Sequence, residues 1–191
     1  MATKDLIITL PNAHLRGKSR RVGVITDDTR RVIEDMKSAT LDWEASRPHE
    51  VGVALAAIQI DETLKIIVVR NDFDNKKDET FSVFINPEII KLEGEIEDDY
   101  EGCLSVKDIY GKVPRRTKVR MRALNEQGQE LRVKAEGFLA RVLQHEVDHT
   151  NGTMFVDHIK DDTQAFFKLT DDGKLEQLDY EQVQKADIFR E

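Results

Sequence analysis

The sequence predicts an α+β fold, with a helix, then mixed β-strands, then a second helix packed on them. The first observation is that segments with strand-like patterns, either alternating or short and continuously apolar, fill the middle of the chain. The second is that segments with helical spacing of apolar residues stand before and after them. The later helical segment also contains the pattern H-E-x-x-H. This order of elements favours helices packed against one sheet system.

The first helix is predicted over residues 26–46. Thr26, Asp27 and Asp28 offer an N-cap, because a side-chain oxygen there accepts a hydrogen bond from a free backbone N–H. Pro48 follows the segment and is expected to end it. One face of the helix would carry Val32, Met36, Ala39 and Trp43.

The strands are predicted from β-branched residues and from alternation of charged and apolar side chains. We expect Pro87 to end the second strand, Gly94 to bend the third, and a turn at residues 125–128 to join the last two as a hairpin. The predicted strands are residues 64–70, 81–86, 88–98, 117–123 and 130–135.

The second helix is predicted from Gly137 to about Asn151 and Gly152, because glycine commonly follows a helix C-terminus. We expect residues 1–160 to form a single catalytic metallohydrolase domain. Residues 161–191 contain nine acidic and four basic side chains, and we expect an acidic C-terminal extension that is partly helical.

Composition narrows the class of protein. The chain has 191 residues, with 39% hydrophobic and 35% charged, which suits one folded domain. Its formal net charge of −8 argues against DNA or an anionic membrane surface as a partner bound through bulk charge. The N-terminus does not resemble a signal peptide, so we expect a cytoplasmic protein. The single cysteine excludes an internal disulfide.

The segment His145-Glu146-Val147-Asp148-His149 fits the H-E-x-x-H pattern of metallohydrolases. Histidines four residues apart share a helix face, so both imidazoles can reach one metal ion. Glu146 can then take a proton from water at that metal. Asp148 could accept a hydrogen bond from a ligand histidine, or it could simply be solvated. The alternative to a metal site is a surface helix with two histidines.

A catalytic metal site usually has three protein ligands, so a third ligand is needed. Phe155 stands where one peptidase class would have a third histidine. Another class would use a downstream glutamate, for which Glu176 and Glu181 are available. The remaining candidate is Cys103, because a thiolate is a strong ligand for zinc and ferrous iron.

A third segment, from Gly52 to Gln59, is rich in small residues and ends in a polar amide. By itself it indicates a loop packed tightly against the core. Together with the segments around Cys103 and His145, however, it resembles peptide deformylase. That family carries G-x-G-x-A-A-x-Q, E-G-C-L-S and Q-H-E-x-D-H in this order, and here they correspond to residues 52–59, 101–105 and 144–149.

The resemblance implies an α+β fold with antiparallel or mixed β-sheets around a central helix that carries the H-E-x-x-H motif. It also implies hydrolysis of the N-formyl group from the formyl-methionine of newly made polypeptides. It implies that Cys103, His145 and His149 hold one divalent metal ion. Ferrous iron is the expected ion, and zinc, nickel or cobalt can also occupy such a site. Metal-bound water would attack the formyl carbon, with Glu146 as the general base. The expected partners are N-formylmethionyl peptides, with transient contact to the ribosome.

The resemblance also implies which residues contact the substrate. The Gln59 amide and the Leu104 backbone N–H would stabilise the oxyanion. Ala54 replaces the second glycine of the family motif, and its methyl group matters if the position requires a positive φ. The expected substrate-binding residues are Gly52, Val53, Ala54, Gly102, Tyr110 and Val142.

Overall fold

The computed structural model describes residues 2–47 and 49–189, which form two long helices packed on an antiparallel sheet. The helices are α1 (Asp27–Ala45), α2 (Gly137–Thr150) and the short α3 (Tyr180–Lys185). The strands are β1 (Ala54–Ala56), β2 (Ile66–Arg70), β3 (Phe81–Cys103), β4 (Val106–Leu124), β5 (Glu130–Glu136), β6 (Phe166–Leu169) and β7 (Leu175–Gln177). Short 3-10 helices cover Lys4–Leu6, Ala13–Arg16, Ala57–Ile60 and Phe155–His158.

The strands described above form one sheet in the order β1-β2-β3-β4-β6-β7, with β5 also paired to β4. Every pairing between these strands is antiparallel. The predicted α+β class is therefore confirmed, and the sheet is antiparallel rather than mixed. No helix among the described residues has the length and apolar character needed to span a membrane.

Strand β2 lies between the two long helices, which explains why all five of its residues are buried. Successive side chains of a strand point to opposite faces. Ile67 and Val69 belong to the core cluster that contains the apolar face of α2. Ile66 and Val68 belong to the cluster that contains the apolar face of α1. The helix with the H-E-x-x-H pattern is thus held on one face of a doubly covered sheet.

The first helix agrees with its prediction. It begins at Asp27, and the Thr26 hydroxyl accepts a hydrogen bond from the backbone N–H of Thr29 as its N-cap. The second helix begins at Gly137, and Gly152 just beyond its end has a positive φ of 78°. Pro48 lies outside the described residues.

The prediction that Pro87 ends a strand is wrong. Strand β3 continues from Phe81 to Cys103, and its pairing with β4 shifts register between Ile85 and Glu88. A proline has no N–H for the ladder but is tolerated at such an irregularity. Asn86 takes a positive φ of 54° there, and its side chain bonds to the backbone N–H and C=O of Val22.

The two strands predicted over 81–86 and 88–98 are therefore one strand, and 117–123 is the end of the longer β4. The expected bend at Gly94 lies at a further register shift, between Glu93 and Ile96, where the φ of Gly94 is 76°. An added Cβ at this glycine would lie 2.2 Å from the Thr117 hydroxyl. These irregularities let long strands curve around the core.

The segment after residue 160 contains more structure than the expected short helix. Its helix is α3, and strands β6 and β7 form a hairpin before it. Phe166 of β6 is fully buried with Phe155 in a third core cluster. The boundary of the catalytic domain at residue 160 stays a prediction.

A buried ion pair fixes strand β1 to α1. Arg70 at the end of β2 is fully buried, and its guanidinium donates to the carboxylate of Glu44 on α1. The same carboxylate accepts a hydrogen bond of 2.8 Å from the backbone N–H of Gly52. This carboxylate therefore anchors the segment that leads into β1.

Replacing Glu44 by alanine should lower the free energy of unfolding by about 3–5 kcal/mol, because Arg70 would remain buried without its counter-charge. Urea unfolding followed by circular dichroism measures this change. The matched control is Glu34→Ala on the same helix, an exposed glutamate that pairs with the half-buried Lys37, with an expected loss below about 0.5 kcal/mol. A loss below about 1 kcal/mol for Glu44→Ala would contradict the anchoring role.

Candidate active site

Three side chains that could hold a metal ion converge where the end of β3 meets α2. The Cys103 sulfur lies 3.3 Å from His149 Nε2, and that nitrogen lies 3.1 Å from His145 Nε2. The three potential ligand atoms all lie within 4.8 Å of one another. Both histidines are buried, and Cys103 is half-buried. The cluster expected from the sequence is therefore brought together.

The spacing of these atoms is compatible with a bound metal ion. A tetrahedral site with bonds of about 2.0–2.1 Å to nitrogen places two nitrogens roughly 3.3 Å apart. The separation of the two Nε2 atoms, 3.1 Å, is close to this value. A thiolate with two imidazoles is also a common ligand set for zinc and iron. The residues present therefore fit the metal that the family implies.

The carboxylate of Glu101 orients His145 from behind. It lies 2.9 Å from His145 Nδ1, which leaves Nε2 directed at the cluster. The same carboxylate accepts hydrogen bonds from Arg115 and from Arg141, both largely buried. Burial alone would raise the pKa of Glu101, but the hydrogen bonds and charges of His145 and Arg115 outweigh it and hold the pKa well below its usual range. Glu101 is thus an ionised acceptor for a ligand histidine.

Glu146 is a buried carboxylate beside the cluster. Its Oε2 has no hydrogen-bond partner among the described residues. Burial raises the pKa of Glu146 to about 7, with the charge of His145 acting in the opposite direction. His149 Nδ1 is also buried, and it has no hydrogen-bond partner among the described residues. Buried polar atoms are usually paired, so the orphaned carboxylate oxygen marks a place for a reacting molecule.

Gln59 presents an amide to the same cluster. It belongs to the 3-10 helix Ala57–Ile60, and its Oε1 accepts a hydrogen bond of 2.8 Å from the Ala56 N–H. That bond fixes the amide so that Nε2 lies 3.5 Å from the Cys103 sulfur and 3.1 Å from the Ser105 hydroxyl. The Ser105 N–H also donates to the sulfur at 3.4 Å. Donors of this kind stabilise a thiolate.

A cavity of about 410 Å³ opens onto the cluster and is lined by Cys103, His145 and Glu146. It is large enough for a short peptide segment. Its lining contains most of the residues expected to contact substrate, namely Val53, Ala54, Gln59, Gly102, Leu104, Tyr110 and Val142.

Gly52 is the exception, because it does not line this cavity. It is buried behind the wall, where an added Cβ would lie 2.7 Å from the Thr40 methyl group. Ala54 lines the cavity within β1 and is not among the described residues with a positive φ. The alanine in place of the family glycine is therefore unstrained, and it adds only a methyl group to the wall.

Gly102 is a position where only glycine fits. An added Cβ would lie 2.5 Å from a ring carbon of Tyr110. The Tyr110 hydroxyl donates a hydrogen bond of 2.5 Å to Glu50. Burial is the larger cause, and this hydrogen bond the second, of a raised pKa of Tyr110. The glycine thus lets the tyrosine ring lie against the strand that carries Cys103.

Asp148 does not accept a hydrogen bond from a ligand histidine. Its carboxylate bonds to Arg115 at 2.5 Å and to His158 at 2.7 Å. Glu176 and Glu181, the alternative third ligands, are exposed and lie outside the cluster. The peptidase interpretation based on them therefore has no support from the site.

Comparison with known proteins identifies the family. The family model described as polypeptide deformylase matches residues 4–165. This chain belongs to the peptide deformylase family. It is 39% identical over 153 residues to a peptide deformylase of Acinetobacter baumannii, covering 80% of this chain and 81% of that protein. It is 41% identical over 158 residues to one from Thermomicrobium roseum, covering 81% and 85%.

Solved structures agree with this assignment. The peptide deformylase of Legionella pneumophila superposes with a TM-score of 0.71 at 36% identity, covering 83% of this chain and 86% of that one. A peptide deformylase of Synechococcus elongatus in complex with actinonin gives 0.72 at 34% identity, covering 80% and 78%. The resemblance found in the three motifs is therefore confirmed.

The sequence analysis did not identify the contact of Glu101 with His145. A signal for it existed, because Glu101 and Cys103 are two residues apart in one strand and so point to the same face. The contribution of Arg141 was also missed. Arg141 lies one turn before His145 on the same helix, and this spacing could have suggested its proximity.

Removing the Glu101 carboxylate should weaken metal binding. Glu101→Ala takes away the acceptor of His145 and the carboxylate shared by Arg115 and Arg141, so we expect a loss of about 10–100-fold in metal affinity. Competition with a chromophoric chelator measures it. The matched control is Glu97→Ala, an exposed glutamate on the same strand, which should bind metal like the unaltered protein. Equal affinities for the two variants would contradict the orienting role.

Proposed function

We propose that this chain removes the N-formyl group from the N-terminal formyl-methionine of newly made polypeptides, and that the reaction occurs at the cluster of Cys103, His145 and His149. The observation that carries the proposal is the position of Glu146. Its unpaired carboxylate oxygen, three metal-binding atoms and a peptide-sized cavity meet at one place. The membership of the chain in the deformylase family supports the same reaction.

Cys103, His145 and His149 would hold one divalent metal ion. When bound, this ion supplies Lewis-acid chemistry, because it lowers the pKa of water toward neutrality and polarises a carbonyl oxygen. We propose ferrous iron as the native ion, since one thiolate and two imidazoles suit it, with zinc, nickel or cobalt as ions that the same ligands accept. The ionised Glu101 keeps His145 oriented toward the site.

Glu146 is the proposed general base. It accepts a proton from the attacking water and delivers it to the amine nitrogen as the bond between that nitrogen and the formyl carbon breaks. The products are then formate and a free N-terminal amine. Its burial supports this role, because a carboxylate removed from bulk water is a stronger proton acceptor than an exposed one.

The oxyanion that forms at the formyl carbon needs hydrogen-bond donors already in place. We propose the side-chain amide of Gln59 and the backbone N–H of Leu104. The bond from the Ala56 N–H to Gln59 Oε1 supports this role, since it holds the amide with its donor group directed at the cluster. Leu104 follows Cys103 directly in the turn between β3 and β4 and lines the same cavity.

The side chain of the formyl-methionine would contact the apolar lining near the cluster. Val53 and Val142 are the proposed walls, and Ala54, Gly102 and Tyr110 complete the surface around the peptide. Gly52 supports this surface indirectly, through its bond to Glu44.

The proposed setting follows from the substrate. Formylated N-termini are made on ribosomes, so we propose a cytoplasmic enzyme with transient contact to the ribosome. The net charge of −8 supports the absence of DNA or membrane partners bound by bulk charge.

Cys103→Ala should abolish stable metal binding, because two imidazoles alone leave the site one ligand short. Metal analysis after anaerobic purification and dialysis measures the stoichiometry. His14→Ala is the control, since this exposed histidine pairs with Asp61 away from the cluster. Full metal retention by Cys103→Ala would contradict the ligand assignment.

The metal-loaded protein should deformylate formyl-Met-Ala-Ser, and Glu146→Gln should reduce kcat by about 10²–10⁴-fold while keeping its metal. The glutamine has nearly the same shape but cannot accept the proton. Release of formate, coupled to formate dehydrogenase, gives the rate. Binding of the peptide without turnover by the unaltered protein would favour a relative that only binds blocked peptides.

A further inference from the structure

The hairpin of β6 and β7 forms one wall of the active-site cavity. Leu169 at the end of β6, Gly173 in the turn and Leu175 at the start of β7 all line it, together with Cys103 and Glu146. The match to the family model ends at residue 165, one residue before β6 begins. This wall is therefore a feature of the chain outside the part that matches the family.

The hairpin reaches the cavity because it extends beyond its pairing with β4. The register partners are Tyr110 with Phe167 and Gly111 with Phe166. Since the strands are antiparallel, β6 runs from there toward the turn that carries Cys103. Leu169, two residues further, is paired with Leu175 of β7 rather than with β4.

The two faces of the hairpin differ in character. Side chains alternate along a strand, so Leu169 shares a face with Phe167, whose ring contacts Tyr100 edge-on at a centroid distance of 4.9 Å. Leu175 is the register partner of Leu169, and both are only half-buried. The other face presents Lys168 and Glu176, which are also register partners and form an exposed ion pair at 3.7 Å. Apolar side chains thus point at the cavity and charged ones at solvent.

The turn of the hairpin closes against the opposite wall. Gly173 has a φ of 78°, and an added Cβ would lie 3.3 Å from the ring of His49. His49, Glu50 and Val51 precede β1 and line the same cavity. The contact holds the two leucines in place at the side of the cavity that a peptide must pass.

We propose that Leu169 and Leu175 bind an apolar side chain in the first two residues after formyl-methionine. This inference rests on the proposed deformylase function, which places the formyl group at the cluster. An extended peptide advances about 3.3–3.6 Å per residue, so the next residues lie along the cavity wall. An apolar side chain there would cover the half-exposed leucines, and removing that surface from water favours binding.

The test compares three substrates: formyl-Met-Ala-Ser, formyl-Met-Leu-Ser and formyl-Met-Ala-Leu. The unaltered protein should have a higher kcat/KM for at least one leucine peptide than for formyl-Met-Ala-Ser. In the double variant Leu169→Ala and Leu175→Ala, this preference should fall by about tenfold, mainly through KM. The matched control replaces Lys168 and Glu176 with alanine on the outer face of the same hairpin, and its preference should be unchanged.

Two outcomes would overturn the inference. Equal loss of kcat/KM on all three peptides would show a structural wall without side-chain recognition, and no loss of preference would show that the leucines do not contact substrate. Absence of turnover by the metal-loaded, unaltered protein would instead contradict the proposed function. In that case, calorimetric binding of the same peptides tests the inference. The inference predicts that a leucine peptide binds more tightly than formyl-Met-Ala-Ser, and that the double variant loses this difference.

Discussion

The ionised carboxylate of Glu101 is the interaction on which the site depends. It is buried between strand β3 and helix α2, and it bonds to His145 on the helix and to Arg115 on the neighbouring strand. Cys103 is two residues along the same strand, so the contact that orients one ligand also positions the other. A buried carboxylate is costly unless it is fully paired, and Arg141 supplies the further donor. Weakening this network would disturb the metal ligands together.

Contacts with the rest of the fold stabilise helix α2 despite its many buried polar side chains. Helix α2 buries two histidines, a glutamate, a glutamine and an arginine, which would be unfavourable without partners. Apolar residues of the same helix, including Leu143 and Val147, pack on β2 in a continuous core. Gln144 bonds to the backbone of Arg116, which secures the helix to β4. The polar atoms left without partners among the described residues include Glu146 Oε2, which is beside the cluster, and His149 Nδ1, on the side of the ring opposite the Nε2 that faces the cluster.

Much of this arrangement could be predicted from short-range patterns in the sequence. Local geometry within one segment determines where a helix begins or ends, as at Thr26 and Gly152. It also determines the spacing of His145 and His149. The pairing of Glu101 with His145 depends on contact between distant segments, so the pattern around Glu101 only hinted at it. The prediction at Pro87 failed because a register shift lets the strand continue through the proline, and the positive φ of Asn86 there is accompanied by bonds to the distant Val22.

The hairpin at the C-terminal end was missed for a different reason. Strand β6, which contains Phe166 and Phe167, is short and has charged residues near both ends. It therefore cannot be recognised as a strand without knowledge of its partner β4. Its acidic surroundings suggested a solvated extension, yet the apolar face of Leu169 and Leu175 is what borders the cavity. The charge pattern of this segment correctly indicated a solvent-exposed face. It gave no information about the apolar face that borders the cavity.

X-ray absorption spectroscopy of the protein purified without oxygen would test the central claim most directly. The account predicts one sulfur ligand and two imidazole nitrogens at a single metal ion, since Cys103, His145 and His149 are the side chains that converge among the described residues. A metal with nitrogen and oxygen ligands and no sulfur would contradict it.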